Sequence, residues 1–162
     1  MAVLKIKTYP AKVLRQVASP VKDFTGKTQQ LIDDMIETML DAEGIGLAAP
    51  QVGVSKRLII VGSSLKDGSA EDLLVVVNPE IAYSEGDVLS TEGCLSIPKF
   101  STTVDRRALV FIKGLDREGN PIEIEATRLL SRALQHEIDH LNGILLLDRV
   151  NTEDAAAQEI GK

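Results

Sequence analysis

Cysteine and histidine are scarce in this chain, which holds one cysteine and two histidines among 162 residues. With a single cysteine, no disulfide can form within the chain, and this favours a reducing compartment. The first ten residues have neither the apolar core nor the cleavage site of a signal peptide. We therefore expect a cytoplasmic protein.

Long apolar runs and an excess of positive charge are also absent from the sequence. The longest apolar stretches, at 58–61 and 73–77, have the length of a strand and fall far short of the roughly 20 residues of a membrane span. The formal net charge of −6 argues against nucleic acid or an anionic membrane as the main partner. No linker or repeat divides the chain, so we predict one domain over residues 1–162 with no membrane association and no direct nucleic-acid specificity.

Both histidines lie in one short motif, His136-Glu137-Ile138-Asp139-His140. Side chains four residues apart project from the same face of a helix. Two imidazoles at that spacing can share a divalent metal ion, and the glutamate between them could take a proton from water. Because only three positions of the pattern are fixed, an ordinary buried helix remains an alternative.

The residues around the motif predict a largely buried helix. Thr127 is a candidate N-cap, and Asn142-Gly143 is a candidate stop. The apolar residues between them form a wide arc, made of Leu129, Leu130, Ala133, Leu134, Ile138 and Leu141. Buried histidines are costly unless they are hydrogen-bonded or bound to metal, so the arc favours a metal site over two separately satisfied core histidines.

A catalytic metal site of this kind needs a third protein ligand and one open position. Leu146 stands where a metzincin has its third histidine, which excludes that arrangement. A thermolysin-like site would need Glu153 or Glu159, but little chain follows them to build and brace a second helix. The third candidate is Cys94.

Cys94 lies in the segment Glu92-Gly93-Cys94-Leu95-Ser96. A free cysteine is most often a small buried hydrophobe, and a nucleophile paired with histidine is a second alternative. Both histidines, however, already belong to the metal-type pair. Gly93 permits unusual backbone angles and close approach. One cysteine and two histidines make a three-ligand site with room for water.

A glycine- and alanine-rich segment at residues 43–53 follows an amphipathic helix predicted for Thr28–Asp41. It has neither the GK[ST] nor the GxGxxG pattern of a phosphate loop. A helix end followed by a tight turn is the simplest interpretation. The functional interpretation is a backbone that lies close to an extended substrate, with Gln51 as an amide donor.

Three segments, in this order, resemble the motifs of the peptide deformylases: Gly44-Ile45-Gly46-Leu47-Ala48-Ala49-Pro50-Gln51, Glu92-Gly93-Cys94-Leu95-Ser96 and Gln135-His136-Glu137-Ile138-Asp139-His140. Three motifs in the right order are far more specific than one. The resemblance implies a metal-dependent amide hydrolase that removes the N-formyl group from the formyl-methionine of new polypeptides and releases formate. It also implies transient contact with ribosomes, and we expect a monomer.

The resemblance assigns roles to individual residues. It implies three metal ligands, which are Cys94, His136 and His140. The family is known for Fe²⁺, with Zn²⁺, Ni²⁺ or Co²⁺ as substitutes. Glu137 would be base and then acid, while the Gln51 amide and the Leu95 backbone N–H would hold the oxyanion.

Five further residues are predicted to bind the substrate: Ile45, Gly46, Gly93, Leu129 and Ala133. The backbone of Ile45 and Gly46 is expected to pair with the peptide as an added strand. The side chains of Ile45, Leu129 and Ala133 could line an apolar pocket for methionine.

Residues outside the three motifs predict the rest of the fold and one supporting contact. The resemblance to the peptide deformylases implies that Arg106 and Glu43 form an ion pair that supports the site, and the alternative is that Arg106 and Arg107 are solvated strand charges. Asp139 is predicted to be a surface or supporting group, not a ligand. Five strand-like runs lie between the two helices, at 57–62, 73–83, 87–95, 101–115 and 121–126. A polar loop is predicted at 63–72, and a hairpin turn at 116–120.

This pattern predicts an α+β fold, with antiparallel β-sheets packed around a central metal-binding helix and an N-terminal helix. Two other functional classes remain open. A metallo-endopeptidase could use the same HExxH chemistry in a long open cleft. A non-catalytic domain could hold a structural metal, although the sequence offers no second cysteine as a fourth ligand.

Overall fold

The structure is a computed structural model that describes residues 2–62 and 73–150. The predicted loop at 63–72 and the residues Glu153 and Glu159 lie outside the described residues. The described helices and strands are α1 (Gly26–Asp41), β1 (Gly46–Ala48), β2 (Leu58–Gly62), β3 (Leu73–Cys94), β4 (Ile97–Leu115), β5 (Pro121–Thr127) and α2 (Arg128–Leu141). None of the helices in these ranges is long and apolar enough to cross a membrane.

The five described strands form one antiparallel sheet in the order β1-β2-β3-β4-β5. This confirms the α+β prediction with antiparallel strands, although the strands belong to one continuous sheet. The predicted separate strands at 73–83 and 87–95 are a single strand, because Gly86 adopts a φ of +74° within the strand instead of making a reversal. Strand β4 begins at Ile97, four residues earlier than predicted, and Pro98 sits near its start, where a missing N–H is tolerated.

The two helices pack on opposite faces of β2. Successive side chains of a strand point to opposite faces of the sheet. Ile59 and Val61 pack in a cluster with Leu134 and Ile138 of α2. The intervening residues Leu58 and Ile60 pack in a second cluster with α1, through Ile32, Met35 and Met39. Helix α2 is therefore buried, as its wide apolar arc predicted.

Helix α2 begins and ends close to the predicted residues. Thr127 is at the N-cap position, but its side chain makes no capping hydrogen bond. Asn142 is the C-cap residue, and Gly143 follows with a φ of +73°. An added Cβ at Gly143 would lie 2.6 Å from the Arg15 backbone oxygen, so both the angle and the space require glycine.

Strand β1 is the element that the sequence did not predict. Gly46, Leu47 and Ala48 have low strand propensity overall, and the segment was not among the predicted strands, although an extended backbone beside a substrate was one of its two interpretations. All three residues are buried and pair with β2, so tertiary packing outweighs local preference. As a result, the glycine-rich segment forms one edge of the sheet, beside α2.

Candidate metal centre

The end of β3 and one face of α2 bring the three predicted metal ligands together. The Cys94 Sγ lies 3.3 Å from the His140 Nε2, and the ligand atoms of Cys94, His136 and His140 all lie within 4.8 Å of one another. The two imidazole rings are 5.2 Å apart between centroids, as expected for residues one helical turn apart. A thiolate with two imidazoles is a donor set that suits divalent transition metals.

The Nδ1 atoms of the two imidazole rings differ in their hydrogen bonding. The His136 Nδ1 lies 2.9 Å from Oε1 of Glu92, and the carboxylate accepts a hydrogen bond from the Nδ1–H. This tautomer leaves the His136 Nε2 lone pair for a metal, an arrangement common among metal-binding histidines. The His140 Nδ1 is buried and has no hydrogen-bond partner among the described residues.

The pKa values of the site, for the protein without a cation, show that it stabilises one positive charge. Burial lowers the pKa of His136, but hydrogen bonds with Cys94 and Glu92 outweigh it and raise that pKa to about 10. Burial lowers the pKa of His140 to about 3, and the charge of His136 adds to that effect. The histidine pair therefore carries one positive charge beside Cys94, and a divalent cation could take its place. These residues fit a metal ion.

Glu92 and Asp139 are linked by a buried arginine. The Arg106 Nε and Nη2 donate to Glu92 at 2.9 and 2.7 Å, and its Nη1 donates to Asp139 at 2.6 Å. The predicted Arg106–Glu43 pair is wrong, because Glu43 is exposed and Arg106 faces α2. Burial raises the pKa of Glu92, but the hydrogen bonds from Arg106 and His136 outweigh it and lower that pKa to about 2.

Burial distinguishes between the alternatives predicted for Asp139 and Arg107. Asp139 is buried and also accepts hydrogen bonds from Arg149 at 2.8 and 3.0 Å, so it is a supporting group and not a surface one. Arg107 instead pairs with the exposed Asp87, which matches the solvated alternative. Glu92 is the functional residue that the sequence reasoning did not single out, although it opens the Cys94 motif.

Glu137 is buried beside the ligands and packs against β1. Burial raises the pKa of its carboxyl group to about 7, and its Oε1 has no hydrogen-bond partner among the described residues. An added Cβ at Gly46 would lie 2.6 Å from the Glu137 Oε2. Glycine at position 46 therefore makes room for the carboxylate, and a pKa near neutrality suits a group that both takes and returns a proton.

The Gln51 amide is held in one orientation. Its Oε1 accepts a hydrogen bond from the Ala48 N–H at 3.0 Å, which fixes the Nε2 on the other side. The Nε2 donates to the Ser96 hydroxyl at 3.1 Å and lies 3.8 Å from the Cys94 Sγ. Gln51 and Ser96 are both buried, and Ser96 was another residue that the sequence reasoning missed. The amide donor thus lies next to the predicted metal site.

A cavity of about 680 Å³ opens onto these groups. All five predicted substrate-binding residues line it: Ile45, Gly46, Gly93, Leu129 and Ala133. Their roles in binding stay predictions. Gly93 has no positive φ, so the unusual backbone angle considered there is not present. Arg132, Lys99 and Phe100 also line the cavity and were not predicted to do so.

Comparisons with known proteins agree with this site. The family model for polypeptide deformylase matches residues 3–156. The peptide deformylase of Thermodesulfovibrio yellowstonii is 58% identical over 151 residues, which are 93% of this chain and 91% of that protein. That of Halothermothrix orenii is 51% identical, over 93% of this chain and 95% of that protein.

Solved structures give the same result for the fold. The crystal structure of a peptide deformylase from Legionella pneumophila superposes with a TM-score of 0.88 at 47% identity, covering 93% of this chain and 87% of that one. The Thermus thermophilus enzyme gives 0.87 at 42% identity, over 96% and 90%. The endopeptidase alternative is therefore not favoured. The predicted family and activity are confirmed: this chain belongs to the peptide deformylases, metal-dependent hydrolases that remove the N-formyl group from nascent peptides.

Proposed function

We propose that Cys94, His136 and His140 hold one divalent cation, with Fe²⁺ as the ion in cells and Zn²⁺, Ni²⁺ or Co²⁺ as substitutes. The convergence of their three ligand atoms within 4.8 Å is the observation that carries the proposal. These ligands do not select one metal by affinity alone, so the choice of iron rests on the family. A bound cation would supply Lewis-acid chemistry, polarising a carbonyl oxygen and lowering the pKa of water.

Glu137 is the group that moves the proton. As a carboxylate it takes a proton from the water whose oxygen attacks the formyl carbon. As a carboxylic acid it returns that proton to the nitrogen when the C–N bond breaks, which leaves a free amine and formic acid, and the acid then loses its proton to solvent to become formate. A pKa raised towards 7 keeps both forms accessible at neutral pH.

Gln51 and the backbone N–H of Leu95 are the proposed donors to the oxyanion. The fixed orientation of the Gln51 amide supports this role, because a donor that is already aligned needs no reorganisation when charge develops. Leu95 directly follows Cys94 and lines the same cavity.

Replacing Gln51 with alanine is expected to lower kcat by about 10²–10³-fold, the usual effect of losing one oxyanion donor. Gln16→Ala, at an exposed position outside the cavity, serves as the matched control. Steady-state formate release and metal content would be measured for both. A Gln51 variant with wild-type kcat and full metal content would remove Gln51 from the mechanism.

The peptide backbone is proposed to bind along the free edge of β1. The Ile45 carbonyl accepts a hydrogen bond from the Gly62 N–H at 3.0 Å and so faces β2. Backbone groups of successive strand residues face opposite sides, so those of Gly46 face the open edge. A peptide added there would place its methionine among Ile45, Leu129 and Ala133, whose side chains line the cavity.

The direct test is formate release from formyl-Met-Ala-Ser amide. We expect turnover that a chelator abolishes and added Fe²⁺, Ni²⁺ or Co²⁺ restores. The acetyl analogue should react far more slowly, because the extra methyl group must fit beside Glu137 and Gln51. Formate release that survives complete metal removal would overturn the proposed metal chemistry. Equal rates on the acetyl peptide, or cleavage within casein, would overturn the proposed specificity.

We also propose that residues 1–162 act as one monomeric catalytic domain in the cytoplasm, with transient ribosome contact. The family match over residues 3–156 supports a single domain. The substrate is the N-terminus of a nascent peptide, which becomes accessible as it emerges from the ribosome. Light scattering would give the mass in solution, and co-sedimentation would measure ribosome binding. A stable dimer, or no binding at any ribosome concentration, would contradict these points.

A further inference from the structure

Arg132 places a positive charge on the wall of the catalytic cavity. It lies in α2, four residues before His136, and therefore on the same side of the helix. It lines the cavity together with Leu129 and Ala133. Its Nε is buried and has no hydrogen-bond partner among the described residues.

Among the described residues the other arginines have partners, except Arg128, which is exposed to solvent. Arg106 is paired with two buried carboxylates, and Arg117 donates to Asp33 at 2.9 Å. Three carboxylates also line the cavity, those of Glu43, Glu92 and Glu137, but within the described ranges none of them forms an ion pair with Arg132.

The buried, unpaired Nε–H of Arg132 has a physical cost that a ligand could remove. A buried donor without an acceptor loses its hydration and gains nothing in return. Arginine presents a planar fork that matches a carboxylate. Lys99 also lines the cavity, but it is exposed, so its ammonium group stays hydrated and needs no acceptor from a ligand. The cavity therefore contains a hydrogen-bond donor without an acceptor, the Arg132 Nε–H, close to where the peptide is proposed to lie.

We infer that Arg132 makes this deformylase selective for formyl peptides with an acidic side chain one or two residues after the formyl-methionine. The inference rests on the proposed binding of the peptide along β1. The methionine would occupy the apolar part of the cavity, and the following side chains would extend past α2 towards solvent. A glutamate there could accept hydrogen bonds from Arg132, whereas a lysine would meet like charge.

The test uses two sets of C-terminally amidated peptides, formyl-Met-Xaa-Ala-Ser and formyl-Met-Ala-Xaa-Ser, with Xaa as Glu, Gln or Lys. The amide ensures that the side chain is the only source of a carboxylate. At one position or both, the metal-loaded wild-type protein should show a kcat/KM for Glu about five- to tenfold higher than for Lys. The ratio should shrink as salt rises from about 0.05 M to about 0.5 M, because screening weakens a partly exposed pair.

Variants of Arg132 test whether this residue causes the preference for Glu over Lys. Each ratio is taken within one variant, so a general loss of activity does not alter it. Arg132→Gln should bring the Glu/Lys ratio close to one, and Arg132→Glu should invert it. Arg128→Gln removes the same charge from an exposed position on the same helix that does not line the cavity, and it should keep the wild-type ratio.

Equal kcat/KM values for the three peptides with the wild-type protein would overturn the inference. So would a preference that persists in Arg132→Gln, or one that Arg128→Gln loses equally. The Gln peptides separate this result from the proposed function. If they release no formate, the deformylase assignment of the cavity fails. If all peptides react equally well, only the role of Arg132 fails.

Discussion

Replacing Glu137 with glutamine is expected to lower the rate of formate release by about 10²–10⁴-fold while the protein keeps its metal. Glutamine has nearly the same shape, so it can fill the space against Gly46 and preserve the packing of α2. It cannot carry a proton from water to the leaving amine. Single-turnover rates and elemental analysis of the purified protein would measure the two properties separately.

The control for this substitution is Glu123→Gln, which removes an exposed carboxylate from β5 and should leave the rate unchanged. If the Glu137 variant loses its metal in proportion to its activity, Glu137 is a structural support of the site. If it retains both metal and turnover, another group must move the proton.

Replacing Arg106 with methionine is expected to lower the free energy of unfolding by about 3–5 kcal/mol. The substitution would leave Glu92 and Asp139 buried without their shared partner, and only 3% of the Arg106 side chain is exposed to solvent. It should also weaken metal binding about tenfold or more, because Glu92 orients the His136 ring. Urea denaturation and a competitive chelator titration would measure the two effects.

Arg107 provides the matched control on the next residue of β4. Its side chain is 42% exposed and pairs with Asp87, whose side chain is 83% exposed. Arg107→Met should therefore cost no more than about 1 kcal/mol. Equal decreases in the free energy of unfolding from the two substitutions would show that the buried Arg106 network does not stabilise the fold.

The grouping of the proposed metal ligands could be predicted largely from local spacing. His136 and His140 belong to one helix, and a helix fixes which residues share a face. Elimination left Cys94 as a candidate, and the resemblance to the peptide deformylases assigned it as a ligand. The structure places its sulfur beside the His140 ring. The orientation of the Gln51 amide, by contrast, depends on hydrogen bonds with Ala48 and Ser96.

The partner of Arg106 could not be predicted, because it depends on how distant segments pair. In the sheet, Arg106 lies opposite Val88, and the end of β3 then brings Glu92 within reach while α2 supplies Asp139. Sequence position gives no register for strands as long as β3 and β4, which contain three irregularities in their pairing.

Local propensity also misplaced parts of the fold for physical reasons. The segment Ser84-Glu85-Gly86 has the composition of a turn, yet pairing with β4 continues through it. The residues of β1 are small and weak in strand preference, but burial between α2 and the rest of the sheet holds them extended. Arg132 was not predicted to line the cavity, because its position there depends on how α2 packs against distant segments.

The most direct test of the account is a crystal structure of the protein loaded with Ni²⁺ or Co²⁺. We expect one ion per chain, bound by the Cys94 sulfur and one nitrogen each of His136 and His140, with the fourth position held by water and Glu137 close by but not coordinating. A thiol turned away from the two rings, or a fourth protein atom bound to the ion, would contradict the proposed catalytic centre.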